Sequence, residues 1–120
     1  MKRVNLTMHP ALPEQECAAR SEEFGWEVKA ALTFKALPPQ EEIEERAERL
    51  ADLAAQEGAV EAMIGGAPYL MAPLEKALWE QGVRPVYAFS VRESREIEKD
   101  GRVSKVSVFR HLGFVKAWRN

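Results

Sequence analysis

The chain has little with which to build a covalent or metal framework: one cysteine, Cys17, and two histidines, His9 and His111, near opposite ends. A lone thiol cannot close an internal disulfide, and no second ligand stands beside it at metal-binding spacing. This fits a reducing compartment and an inert side chain. Neither histidine has a nearby cysteine or patterned carboxylates, so no zinc site is expected, and no Gly-x-Ser-x-Gly elbow marks a serine nucleophile. Long apolar runs are missing too. Residues 4–13 hold no signal-peptide core, and the most apolar segment, residues 59–74, is short and broken by Glu61, Gly65, Gly66, Pro68 and Pro73. Neither export nor a membrane span is expected, and the location is read as cytoplasmic.

A basic excess is also lacking. The net charge of −2 and a pI near 5.8 exclude the profile of a general nucleic-acid binder, so no long nucleic acid is expected as a partner. The average hides an asymmetry. Residues 1–83 hold 8 Lys/Arg against 15 Asp/Glu, a balance of −7, whereas residues 84–120 hold 9 against 4, a balance of +5. The C-terminal third can therefore face an anion, or the charge can simply be solubilising.

A chain of 120 residues can bury one core, so residues 1–120 are read as a single domain, and a large site would need a second copy. Residues 3–7 alternate as a short first strand. Pro13 suits the first turn of a helix continuing past Arg20 and Glu23, with Gly25 as its stop, and residues 26–37 fit neither period cleanly. Pro38-Pro39 followed by four glutamates starts a second helix. Its stripe is Ile43, Ala47, Leu50 and Ala54, its wet face carries Glu42 with Arg46 and Glu45 with Arg49, and Gly58 is its end.

Residues 59–64 read as a central buried strand, and Pro68 opens a helix that stops at Gly82. Residues 83–91 form another buried strand. After Arg92 the pattern alternates, and residues 94–99 and 102–109 flank an Asp100-Gly101 hairpin turn, with Gly113 as a bulge marker. The whole is an α/β fold, a small Rossmann-like sandwich with a parallel core sheet and a C-terminal antiparallel hairpin.

In open α/β sheets ligands collect at the carboxyl ends of the parallel strands. Thr7 to His9, Gly65 to Ala67 and Ser90 to Ser94 should converge there. Paired glycines before a helix start can present backbone amides to a phosphate, although Gly65-Gly66-Ala67-Pro68 is neither a P-loop nor a dinucleotide fingerprint and also serves as a plain strand-to-helix turn. Ser90 and Arg92 could hold phosphate oxygens, unless Arg92 pairs with Glu93 or Glu96. Ser94 doubles as a turn residue. His9, in a loop fixed by Pro10, and His111, on the last strand, are candidate general bases or structural histidines. Trp26, Trp79 and Trp118 are too scattered for a base-stacking platform and are assigned to core or interface packing.

Three segments taken together are familiar: Gly65-Gly66-Ala67-Pro68-Tyr69-Leu70-Met71, Tyr87-Ala88-Phe89-Ser90-Val91-Arg92-Glu93-Ser94, and Asp100-Gly101 with Val108-Phe109-Arg110-His111. Over residues 60–115 the sequence resembles the ring nucleases of type III CRISPR systems, small proteins related to CARF domains, and Asn5-Leu6-Thr7 with His9 is similar to some members. The resemblance implies a CARF-like fold and a homodimer that binds a cyclic oligoadenylate second messenger. It also implies metal-independent cleavage without a cofactor, in which a ribose 2′-hydroxyl attacks the neighbouring phosphate. Carried over, Gly65, Gly66, Ser90 and Arg92 would hold phosphates, Thr7 would orient a ribose, and His9 or His111 would accept a proton. Two other readings stay open: a non-catalytic nucleotide-binding module, and a structural dimerisation domain.

Overall fold

A computed structural model describes residues 1–119. The elements are strand β1 (Arg3–Leu6), a 3-10 turn (Pro13–Gln15), helix α1 (Glu22–Leu32), helix α2 (Gln40–Gln56), strand β2 (Glu61–Ile64), helix α3 (Pro68–Glu80), strand β3 (Arg84–Lys99) and strand β4 (Arg102–Lys116). The sheet has the order β1-β2-β3-β4, with β1, β2 and β3 parallel and β3-β4 antiparallel. The parallel core and the C-terminal hairpin thus match the sequence reading.

Strand alternation divides the burial. Val4 and Leu6 of β1 and Ala62 and Ile64 of β2 join one core with Val28, Leu50, Leu70, Leu74 and Leu78 of the helices. α2 packs against both α1 and α3, so the helices form one layer. The intervening residues Asn5, Glu61 and Met63 are equally buried but point to the opposite face. That face is covered by the strap of residues 10–20, whose Ala18 N–H donates to the Arg3 carbonyl at 2.7 Å. Arg3 in turn donates to the Gln15 carbonyl and to Glu61 Oε1 at 2.6 Å, and its guanidinium lies 4.2 Å from the centre of the Phe114 ring. Arg84 approaches the second Glu61 oxygen at 3.5 Å. A nearly buried carboxylate between two arginines therefore ties β1, β2, β3 and the strap together.

Several elements differ from expectation. The chain from Pro13 makes only a 3-10 turn, ended by Glu16 in the left-handed region at φ 53°. The helix starts later, where Ser21 accepts from the Phe24 N–H at 3.1 Å and Glu22 and Glu23 fill the first turn. It runs through Gly25 because Phe24, Val28 and Ala31 bury one face, which outweighs the roughly 1 kcal/mol a mid-helix glycine costs. Its far end is closed by Arg46, which donates to the carbonyls of Ala30 at 2.8 Å and Thr33 at 2.6 Å.

In α2 the expected stripe is buried and Glu42 pairs with Arg46 at 2.7 Å, but Arg49 reaches Glu27 of α1 at 3.1 Å rather than Glu45. Trp26 and Trp118 are exposed, at 74% and 89%, so neither belongs to the core.

The largest difference is at the third strand. Instead of a buried strand followed by a separate hairpin, β3 is one strand of 16 residues. Only Arg84, Pro85 and Val86 pair with β2, and beyond them β3 has β4 as its sole partner. The two form an arm projecting from the body, and the molecule is 56 Å long but 31 Å in its shortest dimension. Asp100 and Gly101, at φ 53° and 74°, make the turn at its tip, as two positive angles in succession require. A register shift at Phe89/Ser90 skips Leu112 beside Gly113, the expected bulge.

Candidate functional site

The carboxyl ends of β1, β2 and the paired part of β3 open into a cavity of about 530 Å³. Thr7, Met8 and His9 line it from the loop after β1, Gly65 and Gly66 from the loop after β2, Tyr87 and Ala88 from β3, and Leu12 and Gln15 from the strap. Among the described residues that line it there is no carboxylate.

The first loop is held from inside the fold. Asn5 is 1% exposed, and its side-chain oxygen accepts from the Thr7 N–H at 2.9 Å and the Thr7 hydroxyl at 2.6 Å, while its amide donates to the His9 carbonyl at 2.8 Å. Arg20 clamps the same turn by donating to the Thr7 carbonyl at 2.9 Å. With its proton directed at Asn5, the Thr7 hydroxyl keeps its lone pairs for an incoming donor. The His9 ring is exposed.

The second loop lies against the first: a Cβ on Gly65 would stand 3.8 Å from Thr7 Cγ2. Gly66 has φ 148°, a conformation that side-chain-bearing residues avoid, so its role is to turn the chain from β2 into α3. The helix then begins at Pro68 with no side-chain cap and no acidic residue in its first turn. No side chain of its own first turn therefore offsets its positive dipole end, which begins two residues after Gly66 of the cavity wall.

The strap and the arm supply the remaining walls. Gln15, 6% exposed, accepts from the Leu12 N–H at 2.8 Å and places its amide nitrogen 3.5 Å from His111 Nδ1. With Gln15 donating, the His111 proton is assigned to Nε2. His111 also packs edge-on against Phe114 at 4.8 Å between ring centres. Tyr87 donates to Glu75 of α3. Burial first, then that hydrogen bond and the neighbouring charge, push its phenol well above the ordinary tyrosine value of 10.0. Within the strap, burial raises the Cys17 thiol more than the Arg3 guanidinium lowers it.

The expected residues thus fall into two groups. Thr7, His9, Gly65 and Gly66 share one cavity, with His111 behind its Gln15 wall. Ser90, Arg92 and Ser94 are exposed on the arm and are not among the lining residues. Arg92 is six residues past Val86, where β3 leaves β2, roughly 20 Å along an extended strand. Its guanidinium lies 5.2 Å from the centre of the Phe109 ring, and Glu93 pairs instead with Arg110 at 3.2 Å and Arg95 at 3.9 Å.

Gln15 has no part in the sequence reading, and Asn5 and Tyr87 enter it only within the segments of the resemblance, without a role of their own. A polar residue in a strand otherwise buried was the available signal for Asn5, whereas Gln15 and Tyr87 depend on the path of the strap and on α3.

The fold and site define a small α/β protein with a loop-lined cavity at the ends of a parallel sheet. A family model described as Uncharacterized protein MJ1673 family matches residues 1–115, and the chain belongs to that family. No curated protein and no solved structure matches the chain. No helix among the described residues is long and apolar enough to cross a membrane.

Proposed function

We propose that the protein binds a phosphate-bearing nucleotide in the cavity between Thr7 and the Gly65-Gly66 turn. In this reading the ligand is the cyclic oligoadenylate implied by the resemblance, and the fold is a CARF-like, Rossmann-like variant acting as a homodimer in the cytoplasm. The supporting observation is the meeting of Thr7, His9, Gly65 and Gly66 in a hollow with no carboxylate among its described lining residues, just before the uncapped start of α3. Backbone amides and a dipole end favour phosphate there, and an acidic wall would repel it. Thr7, oriented by Asn5, would accept a hydrogen bond from a ribose hydroxyl. Arg92 and Ser90, farther out on the arm, would meet the outer phosphates of a ligand larger than a mononucleotide.

Cleavage follows if a 2′-hydroxyl is held in line with the neighbouring phosphorus. The 2′-oxygen forms a bond to phosphorus, the bond to the 5′-oxygen breaks, and His9 takes the 2′ proton while the departing oxygen gains one from water; His111 would serve instead only with its Nδ1 released from Gln15. Linear products would end in 2′,3′-cyclic phosphate. Positioning and charge stabilisation supply the acceleration.

Calorimetry with cyclic tetra-adenylate and cyclic hexa-adenylate, with chromatography of the mixture, tests both steps. Binding at micromolar protein with linear products is expected; silence by both methods overturns the proposal. Binding without turnover is a second reading, favoured by the engagement of His111 Nδ1 with Gln15 and by the distance of Arg92 from the glycine turn. Ligand recovered intact from a saturated complex would select it.

A further inference from the structure

The arm leaves the body with an apolar stripe uncovered. Cross-strand pairing puts Phe89, Val91 and Ile97 of β3 on one face with Val106 and Val108 of β4. Phe89 and Ile97 are 51% and 45% exposed. The same face carries Arg95, Lys99, Arg102 and Arg110 against the single carboxylate of Glu93. The opposite face carries Arg92 and Lys105 against Glu96 and Glu98, so it is balanced in charge, and it also exposes Val103 at 64% and Phe109 at 65%; what sets the first face apart is its excess of cations. A two-stranded ribbon with solvent on both sides is only marginally stable in water. The stripe therefore calls for a cover that is apolar at its centre and acidic at its rim.

The body has such a surface. Between α2 and α3 runs an open groove of about 570 Å³, with Tyr69, Ala72 and Pro73 along it and Glu44, Glu48 and Glu80 at its edges; Lys76 stands 3.9 Å from Glu80, which leaves the rim acidic through Glu44 and Glu48. Tyr69 is 50% exposed. We infer that two copies of this chain exchange arms, each laying the stripe of its hairpin into the α2–α3 groove of the other. Stacking arm on arm would set four cations against four, whereas arm on body sets them against carboxylates.

The area points the same way. A ribbon of two strands about 10 Å wide and some 35–40 Å long offers a footprint of roughly 400 Å². One arm falls short of a standard interface, but reciprocal exchange adds an arm and a receiving groove on each copy, reaching about 800 Å² per partner. The exchange deepens the homodimer of the proposed function but needs no ligand, so sedimentation tests it apart from nucleotide binding.

Sedimentation equilibrium of the full chain at low and high salt, with two charge-reversed variants, provides the test. One variant carries Arg95→Glu, Lys99→Glu and Arg102→Glu on the arm; the other carries Glu44→Lys, Glu48→Lys and Glu80→Lys on the groove. Circular dichroism verifies that each is folded. The wild type is expected to be a dimer that weakens with salt, each variant alone to dimerise roughly tenfold or more weakly, and an equimolar mixture of the two to regain a heterodimer. A monomeric wild type at every concentration overturns the inference. So does a groove variant that dimerises as the wild type does, which would mean that arms pair with arms.

Discussion

The body and the arm are built from the same chain by opposite means. In the body, strands of 4 residues are enough because helices bury one sheet face and the strap covers the other. β3 and β4 run to 16 and 15 residues, yet beyond the Val86–Lys116 pair, in the arm, they gain little burial, since most side chains there are exposed and cross-strand pairing is their main support. Strand length is thus a poor guide to stability here. Burial of the flanking layers decides it, because apolar area removed from water outweighs the modest net gain of each ladder hydrogen bond.

Substitutions should separate the two regions. Glu61→Ala removes the nearly buried carboxylate between Arg3 and Arg84, leaving Arg3 largely buried without its partner. Denaturant unfolding should show a loss of about 3–5 kcal/mol; a loss below about 1 kcal/mol would mean that the cluster is hydrated. Leu74→Ala, at a fully buried core position, should cost about 2–5 kcal/mol.

Asn5→Ala should cost about 1–3 kcal/mol, because the Thr7 and His9 groups it satisfies lose their partner, and it should weaken nucleotide binding as well. An unchanged affinity would detach the Thr7 loop from the ligand. At the junction of body and arm, the Tyr87 proton is held more tightly folded than unfolded. Its contribution is fully present below pH 10, the ordinary tyrosine value, and is lost as pH rises beyond it. Tyr87→Phe should therefore flatten the decline of stability above pH 10; an unaltered decline assigns it to other groups. In the arm itself, Val103→Ala should change stability of the body by no more than about 0.5 kcal/mol.

The same contrast governs what could be read from sequence. Both regions are legible where one local rule suffices: in the body the stripe of α2 from its helical period and the start of α3 from Pro68, in the arm the tip turn from Asp100-Gly101. The body is not legible where tertiary packing overrides a local rule, as at Gly25, where the Phe24–Val28–Ala31 face carries the helix onward. The arm was divided in two because the polar Arg92-Glu93-Ser94 reads as a break, yet a ladder to β4 tolerates polar residues on both faces when both meet water.

The site divides similarly. Strand ends and glycines located Thr7, His9, Gly65 and Gly66 in one hollow, since those positions follow from chain order. The placement of Arg92 followed from how far β3 outruns β2, a matter of register that residue types do not encode. Gln15 became a wall only through a strap whose contacts reach from β1 to β4.

The nucleotide reading is tested most directly by amide NMR of the full chain titrated with cyclic tetra-adenylate. Saturating shifts clustered at Thr7, His9, Gly65 and Gly66 are expected. A spectrum unmoved at those amides, whether ligand perturbs the arm alone or nothing at all, would contradict it.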